Sequence, residues 1–233
     1  MTNQICEEQN EFYKITPYKM KNDDKIENVK LPLPQAYNFF MFIVGKPNSG
    51  KSTLWLNLIN KQNSKTLYKK FDKVFIFSNS IQTIQQEIFL PPEQLYHGID
   101  ELFNVVENIK QDEESKVLIV IDDCMSDFKE NEKTLIKMIA NRRHTGGGVS
   151  IILTTQVYNK VPLPVRKMVT DLVLFSTANK KEIKCIFEEY SQHSKDVFES
   201  IIQHCFKAGS HEFLYLKVES ETYYHNFNPI TLE

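Results

Sequence analysis

GKPNSGKS, residues 45–52, is the stretch on which the reading of this chain turns. It fits the pattern G-x-x-x-x-G-K-[ST] through Gly45, Gly50, Lys51 and Ser52. It stands between an apolar run, Asn38 to Val44, and a helix-forming stretch, Lys51 to Gln62. A strand, a glycine-bearing turn and a helix start, in that order, aim successive backbone N–H groups at a common centre, and the helix adds the positive end of its dipole. The result is a seat for a chain of phosphates. Lys46, Pro47, Asn48, Ser49 and Thr53 join the four pattern residues in wrapping it. Lys51 neutralises the β and γ phosphates of ATP, and the Ser52 hydroxyl is placed to ligate Mg²⁺. A chance match is expected in roughly one chain in a hundred of this length. This chain has only 7 glycines, so chance explains the pattern poorly.

Outward from the loop, short apolar runs alternate with helix-like stretches. Asn38 to Val44, Lys73 to Ser78, Lys116 to Ile121, Val149 to Thr154 and Asp171 to Phe175 read as strands. Between and after them, Glu101 to Gln111, Glu130 to Asn141, Lys180 to Tyr190 and Ser194 to Lys207 read as helices. That alternation predicts an α/β fold with a mainly parallel central sheet and helices on both faces. Glu212 to Val218 and Thr222 to Phe227 alternate aromatic and polar residues and predict a terminal hairpin. Residues 1–36, with Pro17, Pro32 and Pro34, show no sustained periodicity and are expected to form an arm or edge element before a domain of residues 37–233.

A bound nucleotide with Mg²⁺ needs a carboxylate at the tip of a neighbouring strand. The run Val117 to Ile121 ends in Asp122 and Asp123. Asp122 is the expected metal partner, and Asp123 is the residue to orient or deprotonate an attacking water. Two acids after a strand also begin many ordinary turns; the phosphate loop is what raises them above that. Together with the strand-like Lys73 to Ser78 between loop and acids, they fit the P-loop NTPases with an added strand and a catalytic acid. A third apolar run ends in Thr154, Thr155 and Gln156, and Gln156 is a candidate to sense the γ phosphate or position water. Arg142, Arg143 and His144 close a helix before Gly146 to Gly148, where cations suit the helix dipole. The sharper reading makes Arg142 or Arg143, ahead of Arg166, an arginine finger that acts on a neighbouring subunit.

Composition narrows the remaining classes. At 41% hydrophobic and 25% charged, 233 residues suffice for a full core. The apolar runs fall far short of the roughly 20 residues of a membrane span, and the polar N-terminus lacks a signal-peptide layout, so an intracellular protein is expected. Cys6, Cys124, Cys185 and Cys205 are widely spaced and read as free thiols. His193, His204, His211 and His225 have no metal-site spacing and read as surface or packing residues. With a net charge of −2, contact with nucleic acid has to come from local patches such as Lys61, Lys65, Lys69, Lys70 and Lys73, a stretch that reads first as a solvated face.

The order GKPNSGKS, VLIVIDDCMSD, NRRH, VSIILTTQ and VPLPVRKMVTDLVLFS resembles the viral genome-packaging ATPases of the FtsK and HerA superfamily, the type found in poxviruses, other large double-stranded DNA viruses and virophages. The resemblance spans about Asn38 to Ser176. It implies a motor that couples ATP hydrolysis to pumping double-stranded DNA into a capsid. It also implies a homo-oligomeric ring of about five or six subunits, closed by cyclic symmetry, docked on a capsid or portal-vertex protein. The implied location is the host cytoplasm at the virus factory, with the virion as a second place. By position, Lys51, Ser52, Asp122 and Asp123 carry binding and hydrolysis, Gln156 is the sensor, and Arg142 or Arg143 acts in trans. Many relatives carry Glu where this chain has Asp123, so its carboxylate reaches one methylene less far. The short tail beyond Lys180 leaves DNA grip to the ring interior. Two other classes stay open at the level of sequence: an assembly factor that uses ATP as a structural switch, and a small-molecule kinase on the same loop.

Overall fold

The computed structural model describes residues 22, 24–60, 65–84, 88–124, 128–207, 209 and 211–232. Cys6, Pro17, Lys61 and the expected end of the first helix at Gln62 lie outside them. The strands are β1 (Phe40–Val44), β2 (Lys73–Ser78), β3 (Leu95–Tyr96), β4 (Val117–Asp122), β5 (Val149–Thr155), β6 (Asp171–Phe175), β7 (Phe213–Lys217), β8 (Thr222–His225) and β9 (Asn228–Pro229). The helices are α1 (Lys51–Asn60), α2 (Ile81–Ile84), α3 (Leu102–Lys110), α4 (Phe128–Ala140), α5 (Leu163–Arg166), α6 (Lys180–Tyr190) and α7 (Lys195–Phe206).

One sheet runs in the order β3-β2-β4-β5-β1-β6-β7-β8-β9. The strands from β3 to β6 pair parallel, and β7, β8 and β9 extend the sheet antiparallel. The hairpin expected at the end of the chain is present, joined edge-on to the parallel core through β6. The strand that separates the phosphate-loop strand β1 from the acid strand β4 is β5; Lys73 to Ser78, which lies between them in sequence, sits outside β4.

The parallel strands are buried on both faces, which is why they read as unbroken apolar runs. Side chains along a strand point to opposite faces in turn. Phe40, Phe42 and Val44 therefore join Ile119, Ile121, Ile151 and Leu153 in a core with α3, α4, α6 and α7. Met41, Ile43, Leu118, Val120 and Ile152 line the other core with α1. On α1, Trp55, Leu58 and Ile59 repeat at helical spacing and all three are buried. Each such side chain contributes roughly 1.5–3 kcal/mol by leaving water. The chain before Tyr37 adds Ile26, Val29 and Leu33 to the same core. Helix starts follow local chemistry: the Asn179 side chain accepts from the N–H groups of Lys181 and Glu182, and Ser194 accepts from Val197.

Register sets the site. Val44 pairs with Thr155 and Leu174, Ile121 with Leu153, and Ser78 with Asp122. Five parallel strands thus end along one edge, and the phosphate loop, the two acids, Thr154, Gln156 and Phe175 all emerge there.

Candidate active site

β1 delivers the chain into the loop at Gly45, whose N–H donates to the Thr155 carbonyl at 3.1 Å and ties the loop to the end of β5. A Cβ on Gly45 would stand 2.5 Å from Ser49 Oγ and 2.8 Å from Phe175 Cβ, so the close approach admits no side chain. Ser49 N–H donates to the Lys46 carbonyl at 3.3 Å and closes the turn, after which α1 begins at Lys51. The Lys51 ammonium lies inside the loop, 7% exposed, and donates to the carbonyls of Gly45 at 2.8 Å and Lys46 at 3.1 Å. Burial lowers its pKa, and the nearby Asp123 and Asp122 carboxylates oppose that shift. Ser49 Oγ is buried without a hydrogen-bond partner. A close-packed turn with a captive cation and an unpartnered hydroxyl fits an anionic ligand.

At the tip of β4, Asp122 is 2% exposed and accepts from side chains of three neighbouring elements. Ser52 Oγ lies 3.1 Å from Oδ2 and 3.4 Å from Oδ1. Trp55 Nε1 donates to Oδ1 at 3.1 Å, Thr154 Oγ1 to Oδ1 at 2.7 Å and Ser78 Oγ to Oδ2 at 3.5 Å. A buried carboxylate needs such donors, and here they also fix its orientation. Asp123 follows with φ of 53°, a left-handed residue that turns the chain out of the strand. Its N–H donates to Thr154 Oγ1 at 3.1 Å, and its carboxylate accepts from Gln156 Nε2 at 2.5 Å. One threonine hydroxyl therefore bridges the two acids, donating to the first and accepting from the peptide of the second. Ser52 and Asp122 face each other with the hard oxygen donors that Mg²⁺ prefers. Among the described residues no group of three His, Cys, Asp or Glu side chains could hold a metal, so phosphate and water would complete any such coordination.

Residues 32–220 match the family described as Poxvirus A32 protein. The chain belongs to that family. No curated protein is significantly similar in sequence. Among solved structures, the DNA-packaging ATPase B204 from Sulfolobus turreted icosahedral virus superposes with a TM-score of 0.58 at 16% identity, over 84% of this chain and 99% of that one. The genome-packaging NTPase B204 from Sulfolobus turreted icosahedral virus 2, in complex with AMPPCP, gives 0.60 at 18% identity, over 83% and 99%. ATPases 2 and 3 of EccC from Thermomonospora curvata give 0.58 at 12% identity, over 86% of this chain but 39% of that one. The fold of this A32-family chain is thus that of the P-loop ATPases, as the loop and strand order predict.

The loop residues, Asp122, Asp123 and Gln156 converge as the motifs suggest; the arginines do not join them. Arg142 and Arg143 sit in a 3-10 turn before β5, at the strand-entry edge of the sheet, opposite the loop. Arg142 donates to the Asn38 carbonyl at 2.8 Å and the Ile139 carbonyl at 3.0 Å, and burial lowers its pKa, with Arg143 adding to the shift. Through these bonds it ties the end of α4 to the entry of β1. Arg166 donates to Glu189 Oε1 at 2.6 Å and lies over the Tyr158 ring at 4.7 Å. Arg143 is exposed. Thr154 bonds both acids. Trp55 and Ser78 were missed as partners of Asp122, and His211, read as a surface or packing residue, has Nδ1 3.1 Å from the Ser49 carbonyl. The one available signal was the chain's single tryptophan, four residues after Lys51.

Proposed function

We propose that this protein is an ATP-hydrolysing motor that moves double-stranded DNA into a viral capsid, working as a homo-oligomeric ring at the intracellular site of virus assembly. The observation that carries the proposal is the pairing of Ser52 with Asp122 at 3.1 Å, directly below the phosphate loop, with Asp123 and Gln156 joined beside it. Family membership and the fold shared with a DNA-packaging ATPase support DNA as the substrate.

Backbone N–H groups of residues 45–53 and the Lys51 ammonium hold the phosphates. Ser52 and Asp122 would hold Mg²⁺, and a bound ion would supply charge neutralisation to the phosphates. Asp123 orients a water and accepts its proton, while Gln156, hydrogen-bonded to that carboxylate, reports whether the γ phosphate is present. The chain has 3 arginines. Of these we assign the exposed Arg143 as the residue that reaches a neighbour's phosphate. It lies on the edge opposite the loop, a surface distinct from the phosphate site, as a head-to-tail contact uses.

The test is ATP hydrolysis by the full chain, with and without double-stranded DNA, over a range of protein concentration at low salt. DNA should stimulate the rate, specific activity should rise with assembly, and Lys51→Ala should abolish turnover. A rate indifferent to DNA and to concentration would refute the motor.

A further inference from the structure

On the far side of the loop from the acids, the structure holds a second feature. A cavity of about 840 Å³ opens beside the loop, bounded by Asn48 and Gly50, by Thr53 and Asn57 on the first two turns of α1, and by aromatic rings of the terminal hairpin. That volume lies within the roughly 300–1,000 Å³ of small-molecule sites.

The geometry points to this cavity as the nucleoside subsite, with a purine base stacked on the Phe227 ring. The inference rests on reading the loop as an ATP site and adds where the base goes. Asp122 and Asp123 end β4, two strands from β1 on the β5 side, so the reacting end of a triphosphate points that way. The nucleoside must leave on the other side of β1, toward β6 and β7. There Phe175 ends β6 and Phe213 begins β7, their ring centroids 5.2 Å apart, and Phe227 stands edge-on to Phe213 at 5.4 Å. Phe227 is 41% exposed, an aromatic surface left open at the mouth of the cavity.

Phe227 is held by a built turn. Asn226, left-handed at φ 57°, accepts from Phe213 N–H at 3.1 Å, donates to the Phe213 carbonyl at 2.8 Å through its own N–H, and reaches Glu212 Oε2 at 2.6 Å through Nδ2. His225 Nε2 meets the same Glu212 oxygen at 2.8 Å. His211, two residues before β7, ties this wall to the loop through the Ser49 carbonyl at 3.1 Å. A rigid aromatic in register with the phosphate seat suits a flat base, since stacking needs the ring face and a fixed distance.

The test compares calorimetric binding of Mg-ATP and of inorganic Mg-tripolyphosphate to the full chain. Phe227→Ala should weaken ATP on the order of tenfold or more, the usual cost of a lost base stack, and leave tripolyphosphate within about twofold. Phe227→Tyr, which keeps the ring, should bind ATP like the unaltered chain. Lys51→Ala should weaken both ligands. If Phe227→Ala binds ATP with unchanged affinity, or loses both ligands by the same factor, the base does not stack there, though the phosphate site stands. If the unaltered chain binds neither ligand, the ATP reading itself falls, and this subsite with it.

Discussion

Thr154→Val probes the hydroxyl that joins the two acids. Valine keeps the shape of threonine and removes only the oxygen, which donates to Asp122 Oδ1 at 2.7 Å and accepts from Asp123 N–H at 3.1 Å. Loss of a donor to a carboxylate costs about 1.5–3 kcal/mol, and the Asp123 N–H left without a partner adds about 1–3 kcal/mol if water cannot reach it. Thr154 is fully buried, so little of that is recovered from solvent. The other donors to Asp122, Ser52, Trp55 and Ser78, remain, which places the expected loss in the lower half of the sum, about 3 kcal/mol. Urea unfolding followed by Trp55 emission measures it directly, since the indole donates to the same carboxylate.

The kinetic effect has a different origin. The Asp123 peptide is held in its left-handed turn by the Thr154 oxygen, and that turn aims the carboxylate. A catalytic group displaced by about 1 Å costs on the order of a hundredfold in rate, so kcat should fall by one to two orders of magnitude while the KM for ATP moves little. Steady-state hydrolysis at a protein concentration that saturates assembly reads both constants. A variant with kcat within about twofold of the unaltered chain and a stability loss below about 0.5 kcal/mol would refute the reasoning, because it would mean that neither acid depends on this hydroxyl.

Three further outcomes follow from the same geometry. Arg143→Ala, mixed into unaltered subunits, should depress hydrolysis more than in proportion to its share, since an arginine acting in trans contributes about 10³-fold or more to kcat; linear dilution of activity would exclude it. Gly146→Ala places a side chain at φ 55° against the carbonyls of Ile109 and Asp112, so it should lower the unfolding free energy from a urea titration by more than about 1 kcal/mol. Hydrogen bonds from Asn226 and His225 hold the Glu212 carboxyl below its usual range, so its contribution is present above about pH 4.3 and lost as pH falls through the depressed value. Thermal melts taken at pH values falling below about 4.3 should show that loss in the unaltered chain and not in Glu212→Gln.

The features that were legible in the sequence are those whose cause is local. A strand buried on both faces is an apolar run whatever its neighbours, so β1, β4 and β5 announce themselves; β3 and β9, two residues each, carry no periodicity to find. The loop and the paired acids were legible because their chemistry needs adjacent residues. Donors to Asp122 were not, since Ser78 reaches it through the parallel register of β2 and β4, and nothing near residue 78 records which strand lies beside it. Arg142 shows the limit most clearly. A cation after a helix looks the same in sequence whether it faces solvent or bonds a carbonyl 104 residues away.

Sheet order also explains why the terminal hairpin belongs to the site. A parallel core that stopped at β6 would leave the loop with acids on one side and solvent on the other. β7 pairs antiparallel to β6, so its first residue, Phe213, stands beside the last residue of β6, Phe175, at the edge where the loop emerges. A parallel strand in the same place would present its last residue there, Lys217 if the strand were simply reversed. The turn between β8 and β9 returns the chain to that same edge, and Asn226 bonds it back onto Phe213. Direction of pairing therefore decides that the end of this chain meets the phosphate loop. The Glu212, His225 and Asn226 cluster that pins the hairpin thereby becomes part of what positions the nucleotide.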